Sequence, residues 1–238
     1  MAKIQKVLFR NGKKYYWSSG DLHTDAGMVE EKDLRVAEKI VIAKSGKELA
    51  VMPANFKDNI AKATRGPQSL LEKDIGLILA HTALDNTQTV VEAGTGSGLL
   101  TAYLAKWAKK VISYDLNPEN QALAQKNLQV LNITNVELKQ GDIAKMQEKE
   151  IDVVILDLPE PEQAEKAVHM ALKQGGYVVI YVPSIVQVMA ATEAYQKEFL
   201  IEKTVELLER EWYVEQKKVR PKSDIQGHTA FMIFARKW

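Results

Sequence analysis

The 238-residue chain predicts an α/β fold: a doubly wound sheet with antiparallel C-terminal strands, preceded by a small β-rich piece. Three observations carry that expectation. From Thr89 onward, short β-branched runs alternate with helical periodicity across tight loops, the pattern of a parallel sheet with helices on its faces. Two strand-like stretches, Leu200 to Val214 and Thr229 to Ala235, then follow, joined by a basic loop. Before all of this, residues 1–57 show strand and turn signals.

Taken in order, Val7 to Arg10 and Lys13 to Trp17 flank Asn11-Gly12, a pair suited to a type I′ hairpin turn. Asp21 to Gly27 reads as a loop. Glu38 to Ala43 and Glu48 to Met52 read as strands joined across Ser45-Gly46, and Pro53 closes the piece. A linker helix from Phe56 to Ala63 stops at Arg65-Gly66-Pro67-Gln68, and periodicity resumes at Lys73. Asn117 is a good N-cap and Pro118 a good first residue for a helix to Val130. Val136 to Lys139 and Asp152 to Leu156 are strands, the second apolar enough to be buried on both faces. Glu162 to Lys173 is helical, Gly175-Gly176 turns, Tyr177 to Val182 is a fifth strand, and a helix runs from Ser184 to about Gln196. Two domains result, residues 1–57 and residues 58–238.

Functionally, the chain centres on Val90-Val91-Glu92-Ala93-Gly94-Thr95-Gly96-Ser97-Gly98. A strand runs into three alternating glycines and then a helix start, where glycines permit close approach and free N–H groups favour anionic groups. A dinucleotide fingerprint needs G-x-G-x-x-G, and Leu99 stands where its third glycine belongs. Glu92 at the strand end would repel a pyrophosphate but suits a sulfonium cation. E-x-G-x-G-x-G therefore reads as the first motif of an S-adenosylmethionine-dependent class I methyltransferase with a Rossmann-like sheet. An antiparallel C-terminal pair also separates such a sheet from an ordinary dinucleotide fold.

Four acids, Glu92, Asp115, Asp142 and Asp157, fall at successive strand ends, where open α/β sheets bind ligands. Any one of them could be a capping or loop carboxylate. Together they suggest Asp115 on the ribose, Asp142 on the adenine amino group and Glu92 near the methionine part. Asp157 opens Asp157-Leu158-Pro159-Glu160-Pro161, whose prolines restrict the loop. A carboxylate there suits a nucleophile that gains positive charge on methylation, such as adenine N1.

Composition sets the bounds. With no cysteine, disulfides, zinc-thiolate sites and thiol nucleophiles are excluded. No apolar run approaches the ~20 residues of a membrane span, so a soluble, cytoplasmic protein with no membrane role and no metal is expected. Net charge is only +1, yet Lys3, Lys6, Arg10, Lys13 and Lys14 precede the first acid, and residues 212–238 carry six basic residues against two acids. Basic ends around an acidic middle suit a polyanionic substrate, although solvated lysines on strand faces would look the same.

The chain resembles the tRNA (adenine-N1)-methyltransferases that form 1-methyladenosine in the T loop, particularly the archaeal members. The resemblance rests on Asp21-Leu22-His23-Thr24 with Gly27, Arg65 to Gln68 with Lys73-Asp74, the glycine loop and Asp157 to Pro161. It extends to Tyr181-Val182-Pro183 with Gln187, and to Arg220-Pro221 before Gly227-His228-Thr229-Ala230-Phe231. It implies an N-terminal β-barrel, a homotetramer, S-adenosylmethionine as donor and tRNA as substrate, modified at T-loop position 58 with 57 as a second candidate. The family's catalytic aspartate falls on Asp157. Its cofactor contacts fall on Gln68, Gly94, Ser97, Gly98, Asp115 and Asp142, with Leu116 and Ile143 flanking the adenine; Glu92, Thr95, Gly96 and Asp157 join that set. In one departure, Leu71-Glu72 replaces the Tyr-Pro pair usual before Lys-Asp, so the tyrosine that would line the adenine pocket is missing there.

Tyr181, Gln187 and His228 are candidates for substrate contact, though a histidine at a strand start is more often structural. His23 is better read as a loop-ordering group than an RNA contact. Tyr15, Tyr16 and Trp17 could stack on unpaired bases, yet aromatics in a hairpin are usually core or interface, and Trp107 reads as packing. Two other functions compete: a non-catalytic tRNA-binding subunit, and a class I methyltransferase acting on another substrate. The intact glycine loop with Asp115 and Asp157 disfavours the first, and the D-L-P-E-P and G-H-T-A-F segments disfavour the second.

Overall fold

A computed structural model describes residues 2–63, 70–215 and 218–238. The chain forms two compact units, residues 1–64 with 129–132 and residues 65–128 with 133–238.

In the first unit, β1 (Lys6–Arg10) and β2 (Lys13–Trp17) pair across Asn11 and Gly12. Both turn residues have positive φ, 49° and 78°, as a type I′ turn requires. Asp21 to Gly27 is not a loop. It holds β3 (Leu22–Thr24), which pairs with β4 (Gly27–Val29) because Thr24 closes the turn through hydrogen bonds to Gly27 and Ala26. A short helix unforeseen in the sequence, α1 (Glu31–Val36), follows, and the Lys6 ammonium donates to three carbonyls at its end, of Leu34, Arg35 and Ala37. Next come β5 (Ile40–Ile42), β6 (Glu48–Pro53) and α2 (Phe56–Lys62), the last opened by an Asn55/Asp58 capping box. The sheet order is β2-β1-β6-β5, and Leu8, Trp17, Leu34 and Leu49 fill the core. Trp17 is thus a core residue whose indole N–H donates to the Gly20 carbonyl.

The second unit begins with α3 (Glu72–His81) and continues β7 (Thr89–Ala93), α4 (Leu99–Trp107), β8 (Lys110–Asp115), α5 (Pro118–Val130), β9 (Val136–Gln140) and β10 (Ile151–Leu156). It ends with α6 (Glu165–Ala171), β11 (Leu172–Val182), α7 (Ile185–Tyr195), β12 (Phe199–Glu206), β13 (Trp212–Glu215), β14 (Lys218–Pro221) and β15 (Phe231–Lys237). Seven strands form one sheet in the order β12-β15-β11-β10-β7-β8-β9. Neighbours from β11 to β9 run parallel, and β15 lies antiparallel between β11 and β12. One face packs on α6 and α7 through Val168, Val188 and Tyr195, the other on α3 and α4 through Ile75, Ile78, Leu100 and Leu104.

Two sequence expectations fail here. The helix expected to reach Lys173 ends at Ala171, because Leu172 turns extended and buries its side chain. Gly175 and Gly176 then lie inside β11, where the register slips against β10. Leu200 to Val214 is likewise not one strand. It breaks at the charged run Glu209-Arg210-Glu211, and β13 pairs with β14 as a separate hairpin.

Candidate active site

At the carboxyl end of β7 the chain turns through Gly94, Gly96 and Gly98, with φ of 95°, 52° and 76°. Only glycine adopts such angles freely. The first also makes room: a Cβ on Gly94 would lie 2.3 Å from the Asp157 carbonyl oxygen. Gly98 opens α4, and a Cβ there would meet Ala124 of α5 at 2.9 Å. A Cβ on Gly96 would be in ordinary contact with the Gly94 carbonyl oxygen at 3.9 Å, and the Gly96 N–H donates to Asp115 Oδ2 at 2.9 Å.

Asp115 ends β8 and gathers the surrounding backbone. Its Oδ2 also accepts from Asn120 Nδ2 at 3.1 Å, and its Oδ1 from the Asn117 N–H at 2.8 Å. Asp142 follows β9 and caps the short turn Ile143–Lys145 by accepting the Ala144 N–H. Asp157 follows β10, and its N–H donates to the Ala93 carbonyl at 2.9 Å. Burial pushes its carboxyl group up to about 6.

A cleft of about 620 Å³ runs along these strand ends, within the usual range for small-ligand sites. It brings together eight of the expected residues: Gly94, Gly96, Ser97, Asp115, Leu116, Asp142, Ile143 and Asp157. Tyr114, Asn117, Asn120, Gly141 and Gln163 line it too, and the sequence pattern does not mark them as ligands. Asn120 carries a faint signal, since one helical turn places it on the same face as the Asn117 cap. Gln163 carries none, because only the fold of the proline loop brings it round.

Glu92, Thr95 and Gly98 are not among the cleft's lining residues. Glu92 is fully buried, and its Oε2 accepts from Thr101 Oγ1 at 2.6 Å and Ser113 Oγ at 2.9 Å. Behind Ser113 the contacts continue through Thr95 Oγ1 at 2.7 Å to Gln121 Nε2 at 3.2 Å. Glu92 Oε1 has no partner among the described residues. Burial, with the nearby Asp157 and Asp115 carboxylates adding, pushes the Glu92 carboxyl up to about 8.

The three expected substrate contacts stand around the cleft and are not among its lining residues. Gln187 caps α7 by accepting the Ser184 N–H and donates Nε2–H to the Pro159 carbonyl at 2.8 Å, which braces the proline loop. From the same helix Tyr195 donates to the Pro161 carbonyl. His228 bridges Glu206 through Nδ1 and the Pro183 carbonyl through Nε2, and these two acceptors raise its pKa. Tyr181 donates its hydroxyl to Asp74 Oδ2 at 3.2 Å. Gln68 lies outside the described residues. The arrangement can hold a polar, partly cationic ligand along the strand ends and present one raised carboxyl group to a reacting partner.

Residues 59–220 match the family model described as tRNA methyltransferase complex GCD14 subunit. The chain is 35% identical to the tRNA (adenine(57)-N(1)/adenine(58)-N(1))-methyltransferase TrmI of Methanocaldococcus jannaschii, across 99% of this chain and 95% of that protein. It is 31% identical to the tRNA (adenine(58)-N(1))-methyltransferase TrmI of Thermus thermophilus, across 96% of this chain and 94% of that one. Among solved structures, the tRNA (m1A58) methyltransferase TrmI of Aquifex aeolicus superposes with a TM-score of 0.86 at 25% identity, covering 100% of this chain and 98% of that one. A SAM-dependent O-methyltransferase of Thermotoga maritima superposes at 0.89 with 26% identity, covering 100% and 94%.

Proposed function

This chain belongs to the tRNA methyltransferase family of the GCD14 subunit, and from that premise we propose that it methylates N1 of a T-loop adenosine in tRNA. The relatives' named targets, adenine 58 and adenine 57, make position 58 the first candidate and 57 the second. The observation that carries the reading is Asp157, half-buried at the end of β10 with its carboxyl group raised to about 6, beside the glycine loop.

The methyl donor is S-adenosylmethionine, which supplies an electrophilic methyl group on a cationic sulfur. The residues fit it. A buried Glu92 Oε1 with no partner among the described residues lies behind the loop, Gly94 lets the loop pack directly on the Asp157 backbone, and acids stand at the ends of the flanking strands β8 and β10. Asp115 would hold ribose hydroxyls and Asp142 the donor's adenine amino group, between Leu116 and Ile143. Gln68, Gly94, Thr95, Gly96, Ser97 and Gly98 complete the proposed cofactor set.

Asp157 is ionised above about pH 6. Its carboxylate accepts the N6–H of the target adenine, directs the N1 lone pair toward the methyl group and offsets the positive charge the ring acquires. Gln187 and Tyr195 keep the Asp157 loop from shifting by holding the Pro159 and Pro161 carbonyls. Tyr181, next to Asp157 in the neighbouring strand, borders the incoming base. His228 and Gln187 hold the walls of that approach. The adenosine must leave its stack to reach Asp157.

The β13–β14 hairpin is read as a phosphate grip. One face sets Lys218, Arg220 and Lys222 around the Tyr213 ring, at 4.7, 5.1 and 5.7 Å. The other exposes Trp212, Val214 and Val219, which supports a subunit contact in a homotetramer. Residues 1–57 are read as a small domain, a β-barrel by the resemblance, and 58–238 as the catalytic domain; separate apolar cores support the division into two. The cytoplasm, where tRNA is matured, is the proposed location.

Incubation with labelled S-adenosylmethionine and an unmodified tRNA transcript, followed by nucleoside mass spectrometry, tests the reaction. The expected product is 1-methyladenosine in the T loop; its absence would remove the assignment.

A further inference from the structure

Between the start of α3 and the carboxyl edge of the sheet lies a buried charge cluster that the reaction above leaves unused. The Asp74 side chain is 0% exposed and that of Lys73 is 6% exposed, with Lys73 Nζ 2.6 Å from Asp74 Oδ1. Lys73 also donates to Thr229 Oγ1 at 2.8 Å. The other carboxylate oxygen, Asp74 Oδ2, accepts the Tyr181 hydroxyl and the Thr229 hydroxyl, each at 3.2 Å. One carboxylate thus gathers donors from α3, from β11 and from the segment entering β15. Stability alone does not call for this, because well-packed apolar residues often serve as well as a buried ion pair.

The place of Tyr181 supplies a reason. Leu156 pairs with Ile180, so Tyr181 stands abreast of Asp157 on the adjacent parallel strand, about 4.8 Å away in backbone spacing. Val153 and Ile155 pack with Val179 and Tyr181 on the α3 face. Continuing that alternation sends Asp157 to the same face. Tyr181 packs on its neighbours along one side, and its hydroxyl has Asp74 as an acceptor on α3.

We infer that Asp74 is a positioning residue for methyl transfer, holding the Tyr181 ring beside Asp157 by taking its phenolic proton in a hydrogen bond. Lys73 holds the Asp74 carboxylate in place through its Oδ1, and Thr229 ties both to the segment leading into β15. With its proton committed to Asp74, the phenol oxygen has lone pairs to offer its other neighbours, which suits a base carrying an exocyclic amine. The inference rests on the reading that Tyr181 borders the target adenine.

The test is a double-mutant cycle on the full chain with a tRNA transcript. It compares wild type, Asp74→Asn, Tyr181→Phe and the double variant by kcat and KM, with S-adenosylmethionine affinity from calorimetry. Each single variant is expected to lose about 10- to 100-fold in kcat, the cost of a small misplacement, with donor affinity within about twofold. The double variant should fall no further than the worse single, because both changes remove the same hydrogen bond. Wild-type turnover by Asp74→Asn, or losses that multiply, would overturn the inference. If Asp74→Asn shows no cooperative melting, Thr229→Val, which leaves the Lys73–Asp74 pair intact, decides instead. A kcat loss that vanishes in the Tyr181→Phe background supports the inference, and undiminished turnover overturns it. A wild-type chain that makes no 1-methyladenosine sinks the reaction assignment and this inference together, whereas active wild type with unaffected variants sinks this inference alone.

Discussion

The carbonyl oxygen of Asp157 lies 2.3 Å from where a Cβ on Gly94 would stand. The backbone of Asp157 and the glycine loop are therefore packed against each other, with no room for a side chain between them. Gly94→Ala must push the two apart and also strain a φ of 95°. We expect loss of most donor binding and a stability cost of about 1–3 kcal/mol or more. Gly96→Ala, whose Cβ would sit in ordinary contact with the Gly94 carbonyl oxygen at 3.9 Å and strain only a φ of 52°, should be milder. Calorimetry and thermal melting check both, and equal effects at the two positions would contradict the packing argument.

Asp157 sets the pH dependence of turnover. Its carboxyl group titrates near 6 in the free protein, and the carboxylate is the active form. The kcat/KM for tRNA should rise between pH 5 and pH 7 with a midpoint of about 6. Asp157→Asn should keep donor binding while losing about 10²- to 10⁴-fold in kcat. A flat profile, or an active Asn variant, would reassign the acceptor.

Glu92 sets the pH dependence of stability. Its folded pKa, about 8, lies above the ordinary value of 4.5, so the folded state holds the proton more tightly than the unfolded one. That contribution is complete below pH 4.5 and is lost as pH rises through about 8; by linkage it amounts to several kcal/mol, at most about 5. Melting temperature should therefore decline from pH 5 to pH 9 less steeply in Glu92→Gln than in wild type. A cationic donor favours the carboxylate, so its binding at pH 7 should release protons. Titrations in two buffers of different ionisation enthalpy measure that release, and identical heats would argue against it.

The hairpin face around Tyr213 gives a salt signature. Replacing Lys218, Arg220 and Lys222 together with Ala should weaken tRNA binding and leave donor affinity unchanged. The slope of log K against log salt should fall by about 0.7–0.9 for each phosphate that the variant no longer neutralises. An unchanged slope with a smaller assembly, measured by light scattering, would make this basic face a subunit contact as well and remove the phosphate grip.

Much of the chain is legible in the sequence because the deciding residues lie close together along it. The Asn11-Gly12 turn, the Asn117-Pro118 helix start and the glycine loop each act within a few residues, and all three form as their local pattern dictates. Strand-end acids are legible for a related reason: once a strand is identified, its carboxyl end is known, and Asp115, Asp142 and Asp157 line the cleft there. Asp21 to Gly27 misleads because Thr24 closes a tight hairpin with weak strand propensity on either side. Leu200 to Val214 misleads because apolar residues continue past the charged run that follows β12.

By itself, then, the sequence determined the alternation of strands and helices, the donor loop and the family, all of which depend on local pattern. Tertiary structure alone decided which polar groups meet. Tyr181 reaches Asp74 across 107 positions, Thr229 reaches it across 155, and Gln187 finds Pro159 across 28. A hydrogen bond acts over about 3 Å, and no periodicity along the chain encodes that distance until the sheet has closed and set those side chains side by side.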